Sequence, residues 1–246
     1  MYSAKIDEEP TTFGTSGLLY RSNKVMYDRK TESLWHQFTG EPIVGPLADS
    51  GIRLDFFPVE VTTWEEWAEL HPSTTVLSAN TGLYLAGFYV PESDPRAIYN
   101  DYFTSPETMF PVPYRDDSLA TKDVVLGVGI GGHYKAYAVA ALQRDRIVND
   151  VLGDTEIVVL ASAFSQTARV YLRDGRRFGF PEDGPGPSGL PEKLLDADSV
   201  VWNVTEDSLV SSADPTQTLA RVPAGMSFWF GWRQFHQDTE LYNGGP

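Results

Sequence analysis

The chain contains no cysteine in its 246 residues. That absence excludes disulfide bonds, zinc sites with thiolate ligands and cysteine nucleophiles. Basic residues are scarce too, because 19 Lys and Arg stand against 34 Asp and Glu and the formal net charge is -15. A surface this acidic repels phosphate backbones, so we expect no nucleic-acid partner. Such a surface is typical of halophilic proteins as well as of ordinary acidic proteins, and the composition leaves both interpretations open.

Long apolar runs are also missing. The sequence has no run of about 18 apolar residues, so it predicts no membrane-spanning helix. The opening segment, MYSAKIDEEP, lacks the apolar region of a secretory signal peptide, and the compartment stays open. Only four histidines occur and none pair at a metal-binding spacing, so we expect no metal and no cofactor.

Glycine, proline and aromatic residues are plentiful and favour many short strands and turns. Alternating apolar and polar residues predict strands at 24–28 and 34–38, and a β-branched run predicts another at 74–77. Residues 190–195 are interpreted as one or two helical turns. We therefore predict an α+β fold that is predominantly β.

The glycine-rich stretch 127–132, GVGIGG, formally matches the G-x-G-x-x-G pattern of dinucleotide sites. Such a site needs a helix to open directly after the glycines. The following residues, HYKAY, alternate as a strand does. The pattern therefore favours a β-hairpin with a Gly131-Gly132 turn.

One helix is predicted at 62–72, TTWEEWAELHP. Either Thr62 with Glu65 or Thr63 with Glu66 can form a capping box at its start. The proline at the end of this stretch stops the helix.

A second aromatic helix is predicted at 227–236, SFWFGWRQFH. Both helices place two tryptophans three residues apart and a histidine four residues after the second. We therefore predict two pseudo-repeated sheet units, each closed by a short Trp-rich helix. Residues 1–80 would form the first, partial unit, residues 81–122 an aromatic and proline-rich connection, and residues 123–246 the second unit.

Several motifs occur in order along the chain: FGTSGLLY at 13–20, MYDR at 26–29, SLWHQFTGE at 33–41 and VLGVGIGGHYKAYAV at 125–139. Together with the two helix motifs they resemble DUF3179, a prokaryotic family known as a domain of unknown function. The resemblance covers nearly the whole chain. It implies one shared fold and carries no activity with it.

Two departures from the family pattern concern cysteine. Members usually carry a C-P-x-C-type stretch before the F-G-x-S-G block, and here that stretch would lie before Met1. The resemblance therefore implies that the first half-unit is missing. At the matching place in the second unit, Ser162 and Ser165 stand where two cysteines are expected. Any thiol or metal chemistry of the family would then be absent from this chain.

The segment 13–47 holds the densest group of polar and aromatic residues. Its candidate ligand-binding residues are Asp28, Arg29, Trp35, His36, Gln37 and Glu41. Strand alternation places Trp35 and Gln37 on one face and His36 on the other. A tryptophan beside amide, carboxylate and guanidinium groups suits a sugar-like or amphipathic ligand. The alternative is a buried Asp-Arg pair with Trp35 in the core.

Other polar residues favour structural roles. His71 and His236 end the two predicted helices, where an imidazole can bond the last carbonyls. Ser16 lies in GTSG rather than in G-x-S-x-G, so a loop hydroxyl is favoured over a nucleophile.

Three functional hypotheses stay open. The first is a non-catalytic protein that binds a small or glycan-like ligand, or serves as a scaffold. The second is a hydrolase-like or metal-assisted enzyme that uses Asp28, Glu41 and either His36 or His71. The third is a subunit of a larger assembly, with the aromatic residues 83–114 at the contact.

Overall fold

A computed structural model describes residues 1–78, 80, 82–83, 89–90, 94–184 and 189–245. Strands dominate it and helices are few and short, which confirms the predicted α+β, predominantly β fold. Within the described ranges, no helix has the length and apolar character needed to cross a bilayer.

The N-terminal part forms a small hairpin and then a four-stranded antiparallel sheet. The hairpin comprises β1 (Lys5–Ile6) and β2 (Glu9–Pro10), and the sheet comprises β3 (Phe13–Tyr20), β4 (Asn23–Asp28), β5 (Leu34–His36) and β6 (Pro42–Val44), in that order. Strand β5 ends two residues earlier than predicted, because the chain turns and the Gly40 N–H donates to the His36 carbonyl at 2.9 Å. Trp35 and Leu54 centre the core of this sheet.

Helix α1 (Trp64–Leu70) confirms the first helix prediction. Thr63 and Glu66 form the capping box, which was one of the two predicted pairs. None of the helical residues is buried. The strand predicted at 74–77 is wrong, because the Thr74 N–H donates to the His71 carbonyl at 3.0 Å in a turn and no strand follows.

The predicted connection at 81–122 contains helix α2 (Asn100–Thr104). Residues 81, 84–88 and 91–93 lie outside the described residues, so the connection and the assembly contact predicted at 83–114 are described only in part.

The glycine-rich stretch forms a hairpin, as its alternation favoured. Strand β7 (Val124–Ile130) pairs with β8 (His133–Ala138), and helix α3 (Val139–Asp145) follows. Gly131 and Gly132 have φ angles of 57° and 84°, the left-handed conformation that a two-residue turn of this kind requires. No helix opens after these glycines, so the stretch lacks the geometry of a dinucleotide site.

This hairpin is the centre of a second four-stranded sheet with the order β17-β7-β8-β18. Strands β17 (Ala224–Phe228) and β18 (Glu240–Tyr242) flank it, and β18 pairs with β8 in parallel. Helix α4 (Trp229–Phe235) connects β17 to β18 in the sequence. The second helix prediction is confirmed over Trp229–Phe235, while Ser227 and Phe228 belong to β17 and His236 caps the helix end.

The largest sheet has the order β12-β13-β14-β15-β16-β11-β10-β9 and is antiparallel throughout. Its strands are β9 (Ile147–Leu152), β10 (Thr155–Ala161), β11 (Ala168–Leu172), β12 (Phe178–Gly179), β13 (Lys193–Asp196), β14 (Val201–Val204), β15 (Ser208–Ser211) and β16 (Thr218–Val222). The helical turns predicted at 190–195 are wrong. Lys193 is exposed and Leu194 buried, as expected for alternation on a strand.

A single side chain joins the two outer strands of this sheet. The Asn149 amide of β9 donates to the Phe178 carbonyl of β12 at 2.7 Å, and its Oδ1 accepts from the Phe178 N–H at 2.7 Å. The side chain thus replaces one pair of ladder hydrogen bonds and closes the sheet on itself.

The two sheets of the second half share the main core, which includes Leu126, Ile157 and Val170. On the opposite face of the β7–β8 hairpin, Trp232 of α4 packs against the backbone. A Cβ atom at Gly127 would lie 2.1 Å from the Trp232 ring, so only glycine permits this close packing.

Candidate functional site

Asp28 and Trp35 are bound to each other inside the β4–β5 turn. Both are fully buried, and the Trp35 indole N–H donates to Asp28 Oδ2 at 2.8 Å. Asp28 Oδ1 accepts the backbone N–H groups of Lys30 and Thr31 at 3.0 and 2.5 Å. Burial raises the pKa of Asp28, but these hydrogen bonds outweigh it and hold the pKa below its ordinary value. Trp35 therefore offers no exposed platform to a sugar.

Arg29 points away from this pair. Its Nη1 donates to the Tyr27 hydroxyl at 2.8 Å, and its guanidinium lies over the Tyr27 ring. The buried Asp-Arg pair considered as the alternative is therefore replaced by an Asp28–Trp35 pair.

His36 is buried among aromatic rings. Its centroid lies 4.1 Å from that of Phe235, and its Nδ1 accepts the Thr39 N–H at 3.3 Å. Burial lowers its pKa to about 4, with Glu41 raising the pKa and Arg21 lowering it. Trp35 and His36 are both buried, so neither side chain is open to a ligand at the surface of β5.

Gln37 and Glu41 differ in their relation to a large cavity. Gln37 is exposed and lines the cavity. Glu41 lies outside the lining, and its Oε1 accepts Nε and Nη2 of Arg53 at 3.1 and 2.6 Å. Of the six predicted site residues, Gln37 lines the cavity directly and Glu41 reaches it through Arg53.

The cavity has a volume of about 950 Å³ and lies between the N-terminal sheet, β7, β17 and α4. Its aromatic lining residues are Tyr2, Phe13, Phe38, Phe56, Tyr102, Tyr134, Phe228, Phe230 and Trp232. Its polar and charged lining includes Ser22, Asn23, Gln37, Thr39, Arg53, Ser227 and His236. Small-molecule sites are commonly concave, of ~300–1,000 Å³, and largely apolar with a few polar groups that fix orientation.

Three buried polar atoms belong to residues of this lining and have no hydrogen-bond partner in the described part of the chain. They are Asn23 Oδ1, Ser227 Oγ and His236 Nδ1. An unpaired buried polar atom costs about 1–3 kcal/mol. Each of the three atoms has less than 1 Å² of accessible surface, so they lie within the walls and are not open to a molecule in the cavity.

One wall of the cavity is a stack of rings beside Arg53. The His236 centroid lies 4.0 Å from that of Tyr134 and 4.1 Å from that of Trp232. Burial lowers the pKa of His236 to about 4, and the charges of Arg53 and His36 add to this. Burial also lowers the pKa of Arg53, but Glu41 and Tyr134 outweigh it and raise the pKa. The wall therefore presents a neutral imidazole beside a charged guanidinium.

The remaining candidates have structural partners. The Ser16 hydroxyl donates to the Val25 carbonyl at 2.6 Å, and His71 Nε2 contacts Glu206 at 2.7 Å. The backbone N–H of His71, rather than its ring, bonds the helix carbonyl of Trp67.

The two serines at the place of the family's expected cysteines lie in one buried turn. Ser162 Oγ accepts the Ser165 N–H at 3.3 Å. Ser165 Oγ donates to Glu66 at 3.1 Å and Thr167 Oγ1 donates to Glu66 at 2.7 Å, which ties α1 to the large sheet. In the part of the chain that the structure describes, no three His, Asp or Glu side chains form a metal-binding group.

Sequence reasoning missed Asn23, Arg53, Tyr134 and Ser227. These residues come from distant parts of the chain and share no motif. No local pattern in the sequence indicates that they meet at one cavity.

The profile of the family described as "Protein of unknown function (DUF3179)" matches residues 1–239. No curated protein and no solved structure matches the chain. Because the profile spans nearly the full length, the chain belongs to the DUF3179 family.

Proposed function

We propose that this chain is a non-catalytic protein that binds a small, largely apolar molecule in the cavity between the N-terminal sheet and α4. The observation that carries the proposal is an aromatic cavity of about 950 Å³ whose lining also holds polar side chains such as Asn23, Gln37 and Arg53. Apolar walls supply burial energy and the polar side chains supply orientation.

A rigid aromatic dye tests the cavity directly. We expect N-phenyl-1-naphthylamine to bind with a rise in its fluorescence. Gly231 lines the cavity, and a Cβ there meets no heavy atom within 4 Å, so Gly231→Leu should fill the space and abolish binding. Gly179→Leu is the matched control, since Gly179 has equal space but lies outside the lining.

A folding control and a second filling variant complete this test. Unfolding midpoints of both variants check that each remains folded. Gly225→Val is a second filling variant, because a Cβ there lies 3.6 Å from Phe56, an ordinary contact distance. If both filling variants still bind the dye, the proposal is contradicted.

The enzyme hypothesis with Asp28, Glu41 and a histidine has less support. The Asp28 oxygens are occupied inside a turn, and Glu41 is bound to Arg53. His36 is buried in a ring cluster and His71 contacts Glu206.

The assembly hypothesis stays a prediction. Large apolar side chains such as Ile98, Tyr99 and Met109 are exposed within residues 83–114, which suits a contact with another chain. A monomer in sedimentation velocity would contradict it.

We also infer that residues 1–80 and 123–246 are two copies of one unit, joined by residues 81–122. Matched contacts support this inference. Trp67 Nε1 donates to Thr74 Oγ1 at 3.0 Å, as Trp232 Nε1 donates to Thr239 Oγ1 at 2.9 Å. A second matched pair is the bond from the Trp35 indole to Asp28 and that from the Trp202 indole to Asp196.

A further inference from the structure

We infer that the molecule bound in this cavity carries an anionic group that pairs with Arg53, an inference that rests on the proposed function. Arg53 is the only Lys or Arg in the described lining, and that lining contains no Asp or Glu. In a chain with a formal net charge of -15, the described lining thus holds a cationic side chain and no anionic one. A guanidinium recognises carboxylate, sulfonate or phosphate groups through charge-assisted hydrogen bonds.

Arg53 has donors left for such a group. Glu41 occupies its Nε and Nη2 through a single oxygen, Oε1. A guanidinium has five N–H donors, so the pairing with Glu41 does not exhaust them. The Arg53 side chain is 55% exposed, and it remains accessible from the cavity that it lines.

Glu41 acts in this arrangement as a positioning residue. It lies outside the lining and holds Arg53 against the wall formed by Tyr134 and His236. It also neutralises part of the Arg53 charge, so it limits the affinity for an anion. The structure therefore assigns Glu41, which the sequence suggested as a ligand-binding residue, an indirect role.

The ring wall defines the other end of the ligand. Tyr134 and His236 stack at 4.0 Å with an interplanar angle of 26°, which gives a flat apolar surface beside Arg53. A flat body that carries an anionic group at its edge fits both features. The ligand class is thus an aromatic or otherwise planar apolar acid.

Two dyes with the same ring skeleton separate charge from shape. 1-Anilinonaphthalene-8-sulfonate carries the anion, and N-phenyl-1-naphthylamine lacks it. We expect Arg53→Gln to weaken binding of the sulfonate about tenfold and to leave the neutral dye unchanged within about twofold. We expect Glu41→Gln to strengthen sulfonate binding several-fold, because the amide oxygen can still accept from Arg53 and position it, while the competing negative charge is removed. Arg177→Gln, an exposed arginine outside the lining, controls for the change in net charge.

The outcomes separate this inference from the proposed function. If Gly231→Leu abolishes binding of the neutral dye but Arg53→Gln leaves sulfonate affinity unchanged, the anionic inference falls and the proposed function stands. Equal weakening of both dyes by Arg53→Gln also overturns the anionic inference. If the neutral dye binds Gly231→Leu and Gly225→Val as well as the unaltered chain, both proposals fail.

Discussion

At the scale of single residues, two histidines are held uncharged among aromatic rings. His36 packs against Phe235 and His236 against Tyr134 and Trp232. Burial lowers the pKa of each to about 4, whereas an unfolded histidine titrates near 6.5. Protonation of either ring therefore opposes folding.

Stability should fall as the pH drops from about 6.5 to about 4. In that window the unfolded chain binds protons that the folded chain excludes, so the free energy of unfolding rises with pH. The contribution of the neutral histidines to stability reaches its full value above about pH 6.5. Each histidine contributes at most ~1.4 kcal/mol per pH unit, and less where solvent reaches the ring. Urea unfolding at pH 7, 6 and 5 measures this slope.

His36→Asn should reduce the slope by about half, because one of the two depressed groups is removed. Asparagine keeps an acceptor for the Thr39 N–H. His133→Asn, at an exposed histidine, is the matched control. An identical slope in the unaltered chain and in His36→Asn would refute the assignment.

Residues that are close in the sequence do not share one environment in the structure, so the predicted site was only partly right. His36, Gln37 and Glu41 were proposed as one group, but they lie in the interior, at the cavity and behind Arg53 respectively. Strand alternation assumes that one face is solvated. Here Phe235 of α4 packs against His36, and nothing in the local pattern indicates that contact.

At the scale of elements, the same turn occurs twice. Asp28 accepts the Trp35 indole N–H at 2.8 Å between β4 and β5, and Asp196 accepts the Trp202 indole N–H at 2.9 Å between β13 and β14. In each turn the other carboxylate oxygen accepts backbone N–H groups. A buried carboxylate thus fixes the turn and the tryptophan together.

Asp28→Asn and Asp196→Asn should each destabilise the protein by about 2 kcal/mol. An amide must place its NH₂ against donors on one side, which leaves buried groups unpaired. Urea unfolding measures both changes, and Asp238→Asn, at an exposed aspartate, should have almost no effect. A large loss of unfolding free energy at one turn and none at the other would count against the duplicated unit.

Elements with strong local signals were predicted correctly. The Thr63–Glu66 capping box starts α1 and the Gly131-Gly132 turn starts β8, because these signals act through neighbouring backbone groups. The wrong predictions at 74–77 and 190–195 concern short segments without such a signal, whose conformation depends on tertiary packing.

At the scale of the whole molecule, Asn149 closes the largest sheet. Asn149→Leu should lower the free energy of unfolding by about 1–3 kcal/mol, because the Phe178 N–H and carbonyl lose their partners. Asn203→Leu is a matched control, since Asn203 lies exposed on β14 of the same sheet. Equal unfolding midpoints for the two variants in urea would contradict this role.

The cavity could not be predicted at this scale. Its wall combines Asn23, Arg53, Tyr134 and Ser227, which approach one another only when the N-terminal sheet packs on β7, β17 and α4. Composition gave the net charge of -15 but not the absence of Asp and Glu from the described lining. The halophilic interpretation of that charge stays a prediction.

The closure by Asn149 also decides how this molecule can meet others. An outer strand with unpaired backbone groups is a template onto which another chain can add a strand, and this route leads to fibrils and runaway aggregation. Asn149 occupies the backbone N–H and carbonyl of Phe178, so at that residue the β12 edge is not open to an added strand. One amide side chain thus removes a docking point for strand addition at this edge of the large sheet.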